Sequence, residues 1–194
     1  MDSVYTQSLV RELLYEIEGY PLRHDLEKTP IRVVNALKEM LDGYSINVED
    51  LFTTFDDEES IPPNNGSDIH DQIVAVKGTP FTSFCEHHLL LFSGIAHIAY
   101  LPKDRVIGAS KLPRLLLAYA HRLQLQERIT RQVANAIMTY LQPQGVTVIL
   151  EAKHACIACR GVKSDCSFVT SVMLGTFRDN QTTRLEVLAL LGLR

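Results

Sequence analysis

Apolar positions recur at helical spacing in two segments near the start of the chain. Residues 10–19 predict a first helix that is closed by a glycine. Thr29 and Pro30 then predict the N-cap and the first position of a second helix, whose apolar stripe ends at Gly43. The sequence therefore predicts a helical N-terminal segment over residues 1–45.

The next stretch, residues 46–70, is polar and rich in residues that favour turns. Its prolines, asparagines and glycine predict a long loop or linker before the main domain, residues 71–194. The acidic run at residues 56–59 is interpreted as solvated surface.

The main domain alternates pairs of strands with pairs of helices. Short apolar runs predict four strands at residues 73–76, 94–101, 146–150 and 168–174. Two helices with apolar residues at helical spacing lie between the strand pairs, the first capped by Ser110, and a short helix over residues 183–191 ends the chain. Hairpin-connected strands predict an antiparallel sheet with helices on one face, which is an α+β fold.

Composition narrows the function classes. The chain has 194 residues, 46% of them hydrophobic, and no apolar run near the roughly 18 residues that a membrane span needs. Its first residues lack the features of a signal peptide, so we expect a cytoplasmic protein with no membrane contact. The net charge of −4 argues against broad nucleic-acid binding, although a few cations suffice to bind a phosphorylated small molecule.

Candidate chemistry lies in two clusters of cysteine and histidine, residues 85–88 and 154–161. Thiolate and imidazole are ligands that zinc prefers, and four cysteines without a signal peptide indicate metal ligands or free thiols. In one model Cys85, His88 and Cys156 hold zinc and leave the fourth position to water. In the other, all four cysteines form a closed structural site. Spacing favours the open site, because Cys85 has no second cysteine two or three residues away.

The remaining histidines and cysteines have simpler interpretations. A cytidine-deaminase site is disfavoured, since Glu86 directly follows a cysteine and no proline precedes Cys156. We interpret Cys159 and Cys166 as small buried residues. Four histidines are interpreted as packed or surface residues: His24, His70, His97 and His121.

Six motifs follow one another in order along the chain. They are Cys85-Glu86-His87-His88-Leu89, residues 97–102, residues 106–114, residues 124–130, His154-Ala155-Cys156 with Arg160-Gly161-Val162, and Thr170-Ser171 with Leu174-Gly175. Together they resemble one known family, GTP cyclohydrolase I. The start of the second helix, residues 29–32, is also similar, so the resemblance covers about residues 8–190.

The resemblance implies an activity, a fold and an assembly. The activity is the zinc-dependent conversion of GTP to 7,8-dihydroneopterin triphosphate with release of formate, the first step of pterin biosynthesis. The fold is the tunnelling fold, or T-fold. The assembly is a homodecamer of two pentamers with active sites at the subunit interfaces.

The resemblance also implies roles for individual residues. It assigns the zinc ligands to Cys85, His88 and Cys156, the set that spacing favours for the open site. His87 and His154 match the proton-transfer histidines, and Ser110 matches a serine that assists the ribose steps.

Substrate contacts are implied in the same way. Gln126 and Glu127 match the guanine-recognition segment, in which Glu127 binds the amino edge of the base. Four cations match the triphosphate site: Lys111, Arg114, Arg160 and Arg32. From the residues alone, Lys111 and Arg114 also fit a solvated helix start, and Glu127 also fits a salt bridge to Arg131.

Two departures from the family pattern keep other functions open. Cys159 stands where the family usually has another residue, and the N-terminal extension is short. A non-catalytic purine- or pterin-binding T-fold module with a structural zinc is one alternative. A four-cysteine interaction module is another. Glu86 has no role in any of these hypotheses.

Overall fold

The computed structural model describes residues 3–52, 72–103 and 105–193. The chain forms two compact units, residues 1–42 and 43–194. Most of the linker predicted over residues 46–70 lies outside the described residues. Its described beginning contains a short 3-10 helix, Glu49–Leu51.

Two helices, α1 (Ser3–Glu18) and α2 (Thr29–Met40), pack together in the N-terminal unit. Gly19 follows α1 with a φ of 88°, a left-handed conformation that favours glycine. Thr29 is not the N-cap of α2: the cap is Lys28, so Thr29 is the first helical residue and the proline the second. A proline fits there because the first N–H groups of a helix have no acceptor within it.

The larger unit is built on a five-stranded sheet, counted over the described residues. The strands are β1 (Val74–Cys85), β2 (Leu91–Leu101), β3 (Leu123–Gln124), β4 (Gly145–His154) and β5 (Phe168–Gly175). Their spatial order is β3-β1-β2-β4-β5, and all pairs are antiparallel except β1 with the two-residue strand β3. The helices are α3 (Lys111–Ala120), α4 (Gln126–Tyr140), α5 (Ala155–Ala158), α6 (Thr176–Asp179) and α7 (Gln181–Leu191).

Strand β1 is longer than the sequence predicted. It continues through Gly78, whose φ is 73°, and the pairing with β2 shifts register between Val76 and Thr79. Pro80 is accommodated because β1 pairs there only with β2, while β3 reaches only the last two residues of β1. As a result Cys85 ends a strand instead of following a loop.

Helices α3 and α4 cover one face of the sheet. Their side chains Leu115, Leu116 and Ile137 join Ile98 and Val148 of the strands in the main core. The opposite face carries a smaller core, in which Ala99 and Ile149 pack with Phe177, Val187 and Leu191 from α6 and α7. Adjacent strand residues enter different cores because side chains alternate between the faces.

The α+β class, the antiparallel sheet and the N-terminal helical segment are confirmed. The paired helices α3 and α4 lie on one face, as the T-fold expectation describes, and the C-terminal helix is added to the other face. Within the described ranges, the helices are too short or too polar to cross a membrane.

Candidate active site

Sheet register brings the two predicted clusters to one end of the sheet. Strands β2 and β4 are antiparallel, so the first residues of β2 lie beside the last residues of β4, and Phe92 is opposite His154. Strand β1 ends at Cys85, and the hairpin turn that follows carries His87 and His88 to the same end. Short helix α5 continues directly from β4 and carries Cys156.

Three side chains form a group that could hold a metal ion. One ligand atom from each of Cys85, His88 and Cys156 lies within 4.8 Å of the others. Cys85 Sγ is 3.7 Å from His88 Nδ1. Zinc–sulfur and zinc–nitrogen bond lengths give ligand separations of roughly 3.6–3.8 Å in a tetrahedral site, so the residues fit such an ion.

The electrostatics of the thiols also favour a cation. Burial, followed by the neighbouring Cys85, raises the pKa of the Cys156 thiol. Two adjacent thiols resist ionising together, whereas a divalent cation stabilises both thiolates. The charge of Arg160 partly opposes this rise in the pKa of Cys156.

The other two cysteines are not members of this group. Both Cys159 and Cys166 are exposed, so the prediction that they are small buried residues is wrong. Cys159 Sγ donates to the carbonyl oxygen of Ala155 at 2.6 Å within α5. A closed four-cysteine site is not formed by this arrangement.

Main-chain hydrogen bonds fix the turn that carries two of the three candidate ligands. Cys85 N donates to Leu90 O at 2.8 Å, and Leu89 N donates to Cys85 O at 2.9 Å. Cys85 is 6% exposed, whereas His87 and His88 are both exposed. The two imidazole rings meet edge to face, with centroids 6.1 Å apart, so His87 lies beside the candidate ligand without joining the group.

Glu86 forms a bidentate ion pair with Arg128 of α4. Arg128 Nη1 bonds Glu86 Oε2, and Nη2 lies 3.0 Å from Oε1. The hydrogen bond from Arg128 lowers the pKa of the Glu86 carboxyl. Glu86 N also donates to Gln124 O at 3.1 Å. The sequence did not predict a role for Arg128, because nothing local relates it to a residue 42 positions earlier.

His154 is held between aromatic rings at the end of β4. Its ring stacks on Phe92, with centroids 4.4 Å apart and planes 3° from parallel, and Phe168 meets it edge-on. Burial lowers the pKa of His154, and the charge of Glu127 partly opposes that effect. The structure therefore brings Glu127, which is exposed in the first turn of α4, close enough to act on His154.

Gln126 is 1% exposed and its side chain is used within the fold. Oε1 lies 2.9 Å from His154 Nε2, and Nε2 of the amide lies within 3.1 Å of Leu150 O, Phe168 O and Thr170 Oγ1. The place of Gln126 in the guanine-recognition segment stays a prediction, and the structure shows that its side-chain hydrogen bonds are made within the protein. Its contact with His154 was missed because the sequence does not show that β4 passes beside α4.

The remaining predicted residues lie on other elements. Ser110 is the N-cap residue of α3, but its side chain makes no capping hydrogen bond. Lys111 and Arg114 occupy the first turn of α3, and Arg160 is exposed just after α5. Arg32 is exposed on α2 in the N-terminal unit.

A family model and curated relatives match this chain to the same family. Residues 6–192 match the family model for GTP cyclohydrolase I. The chain is 45% identical over 186 residues to GTP cyclohydrolase 1 of Gloeobacter violaceus, covering 94% of this chain and 81% of that protein. It is 42% identical over 193 residues to GTP cyclohydrolase 1 of Mycobacterium avium, covering 98% and 90%. The crystal structure of the archaeosine synthase QueF-Like in the apo form aligns with 51% of this chain over 91% of its own, with 16% identity and a TM-score of 0.42.

Proposed function

The chain belongs to the GTP cyclohydrolase I family and is a GTP cyclohydrolase enzyme, and from that premise we propose a zinc-dependent reaction. The proposed products are 7,8-dihydroneopterin triphosphate and formate. The observation that carries the proposal is the convergence of Cys85, His88 and Cys156, with His154 two residues from one of them. The product would be the first intermediate of pterin biosynthesis.

Zinc is the proposed ion because of the donor set. Two sulfur atoms and one imidazole nitrogen suit zinc better than magnesium or calcium, which prefer oxygen ligands. Three protein ligands are also the number that catalytic zinc sites use. When bound, such an ion supplies Lewis-acid activation of water for attack on the base.

His154 and His87 are the proposed proton carriers. Opening the imidazole ring of guanine requires a proton at a ring nitrogen, and histidine titrates in the neutral range. His154 is held by the stack on Phe92 and the hydrogen bond with Gln126, while His87 is exposed beside His88. Ser110 is proposed to assist the later ribose steps, on the resemblance alone.

Glu127 is the proposed guanine-binding carboxylate. It is exposed near His154, and a carboxylate can accept from the two N–H groups that guanine presents along one edge. The triphosphate is proposed to bind four cations: Lys111, Arg114, Arg160 and Arg32. Arg160 is exposed just after α5, the helix that carries Cys156, which supports its place near the reacting end of the substrate.

The assembly and the location remain predictions that the resemblance and the composition support. We propose a homodecamer of two pentamers, with active sites at the subunit interfaces, in the cytoplasm. Light scattering of the purified protein would test the size of the assembly. A monomer or dimer with full activity would contradict the decamer.

Turnover of GTP by the zinc-loaded protein tests the proposed reaction. We expect formate and a pterin that becomes fluorescent after oxidation, and neither above background from the Cys85→Ala variant. X-ray absorption at the zinc edge should count two sulfur ligands. Nucleotide binding without turnover would instead favour the non-catalytic module, and four sulfur ligands would favour the closed site.

A further inference from the structure

The side-chain amide of Gln126 is fixed in one orientation by the main chain. Its Nε2 lies 3.1 Å from Leu150 O and 2.9 Å from Phe168 O. Carbonyl oxygens only accept hydrogen bonds, so the amide nitrogen has to face them. Rotating the amide by half a turn would place its oxygen against both carbonyls in a site that is 1% exposed, with no solvent to compensate.

Two threonines support the same assignment. Thr130 Oγ1 donates its one hydrogen to Gln126 O at 2.8 Å. Thr130 and Thr170 hydroxyl oxygens are 2.7 Å apart, so the hydrogen between them comes from Thr170. Thr170 Oγ1 is then left to accept from Gln126 Nε2 at 3.1 Å. The two hydrogens of the Gln126 amide are shared among three acceptors. All hydrogen bonds of this network are consistent with one orientation of that amide.

The fixed amide determines which nitrogen of His154 carries the proton. Gln126 Oε1 lies 2.9 Å from His154 Nε2, and an amide oxygen can only accept. We infer that Gln126 is a positioning residue that holds His154 in the Nε2–H tautomer, which leaves the lone pair of Nδ1 for a hydrogen bond with the substrate. The assignment of the substrate as the partner of Nδ1 rests on the proposed function, whereas the tautomer does not.

The ring of His154 is held in the matching orientation. Turning it by 180° would replace Nε2 with a carbon and break the bond to Gln126. Phe92 lies parallel to one face of the ring. Among the residues that the structure describes, none forms a hydrogen bond with Nδ1.

This arrangement orients the ring without help from the substrate. The Nε2–H bond to Gln126 Oε1 fixes the plane and the tautomer of the imidazole, so the lone pair of Nδ1 keeps one direction. Because the amide cannot turn, holding the ring requires no reorientation of the amide dipole. Gln126 thereby acts through His154 instead of touching the base.

Nitrogen-15 NMR of metal-loaded protein with labelled histidine tests the tautomer directly. Near pH 8 imidazole is neutral, and we expect Nε2 of His154 to bear the proton and Nδ1 to show a lone-pair nitrogen shift. The His154→Asn variant assigns the signal among the seven histidines. A proton on Nδ1 in the wild-type protein would overturn the inference.

Two variants test the cause. Gln126→Met should give a mixture of tautomers and lower kcat by about 10- to 100-fold, with KM for GTP changed by less than about 3-fold. Thr170→Val removes one acceptor but leaves both carbonyls, so the Nε2–H signal should persist. Equal loss of the tautomer preference in both variants would show that the carbonyl pair does not set it.

The spectra separate this inference from the proposed reaction. If Gln126→Met fails to fold, the wild-type spectrum still decides whether Nε2 carries the proton, and loss of that signal in Thr170→Val would still contradict a tautomer set by the carbonyl pair. A wild-type protein that shows Nε2–H but releases no formate would disprove the proposed reaction and keep the tautomer assignment.

Discussion

Arg128 donates two hydrogen bonds to the carboxylate of Glu86, one to each oxygen. Glu86 stands between Cys85 and His87 in the turn, and Arg128 follows Glu127 in α4. The ion pair thus joins the segment with two candidate metal ligands to the segment with Gln126 and the proposed base-binding carboxylate. Bidentate pairs of this kind fix relative orientation as well as distance.

Breaking this ion pair should weaken metal binding. Glu86→Gln and Arg128→Lys both lose the bidentate geometry, so the turn is less well held and zinc affinity should fall by about 10-fold. Competition with a coloured chelator measures the affinity, and the visible spectrum of the cobalt-substituted protein reports ligand geometry.

Glu18→Gln is the matched control for that prediction. Glu18 accepts from Arg23 at 3.3 Å in the N-terminal unit, and its loss should leave zinc affinity unchanged. Equal zinc affinity in Glu86→Gln and wild type would show that the ion pair does not position the ligands.

The sequence predicted the fold class because strand and helix periodicities alternate clearly in the main domain. It did not predict the length of β1, since Gly78 and Pro80 usually interrupt strands and only the register shift and the one-sided pairing allow them here. The three candidate ligands were predicted from residue type, spacing and the family resemblance. That Cys85 and Cys156 approach each other depends on the pairing of β2 with β4, a long-range property that local pattern does not contain.

The position of Gln126 is a second feature that the sequence did not predict. A glutamine amide can bind a base or satisfy buried groups, and the two uses look identical in sequence. Only its burial and the positions of Leu150 O and Phe168 O distinguish them. Arg128 was missed for the same reason, because its partner comes from another element.

Replacing one candidate ligand should show which cysteines bind the metal and which do not. Cys156→Ala removes one of three donors, so the purified protein should contain little zinc and release little formate, whereas Cys159→Ala should retain both because Cys159 is outside the group. Metal analysis of each variant, before and after treatment with a chelator and zinc, measures this. Zinc loss from Cys159→Ala would contradict the assignment.

His97 should make the fold less stable at acidic pH. It is 5% exposed with no partner for Nδ1 among the described residues, and burial lowers its pKa below 6.5, helped by Lys77 and opposed by Glu151. The unfolded chain then binds more protons than the folded one, so the free energy of unfolding falls as pH drops through 6.5 towards the lowered pKa.

The free energy of unfolding in urea at several pH values tests this. His97→Leu cannot be protonated, so its stability should depend less steeply on pH between about 7.5 and 5 than that of the wild type. Thr147→Val, at a buried strand residue without a titratable group, is the control and should keep the wild-type slope. Parallel curves for wild type and His97→Leu would rule out this origin of acid sensitivity.

Gly94 should tolerate no side chain, because β4 lies against it. A Cβ atom at this position would be 1.9 Å from Glu151 O and 2.5 Å from Ala152 Cα, and both contacts are with backbone that cannot simply rotate away. Gly94→Ala should force β2 and β4 apart and cost about 1–3 kcal/mol or more in free energy of unfolding. Because the same pairing sets Phe92 opposite His154, kcat should fall as well.

Urea unfolding and GTP turnover measure the two effects of Gly94→Ala. The control is Ser93→Ala at the exposed neighbouring residue, which should change the free energy of unfolding by less than about 0.5 kcal/mol. Equal stability of the two variants would mean that the strands can separate at this point without loss.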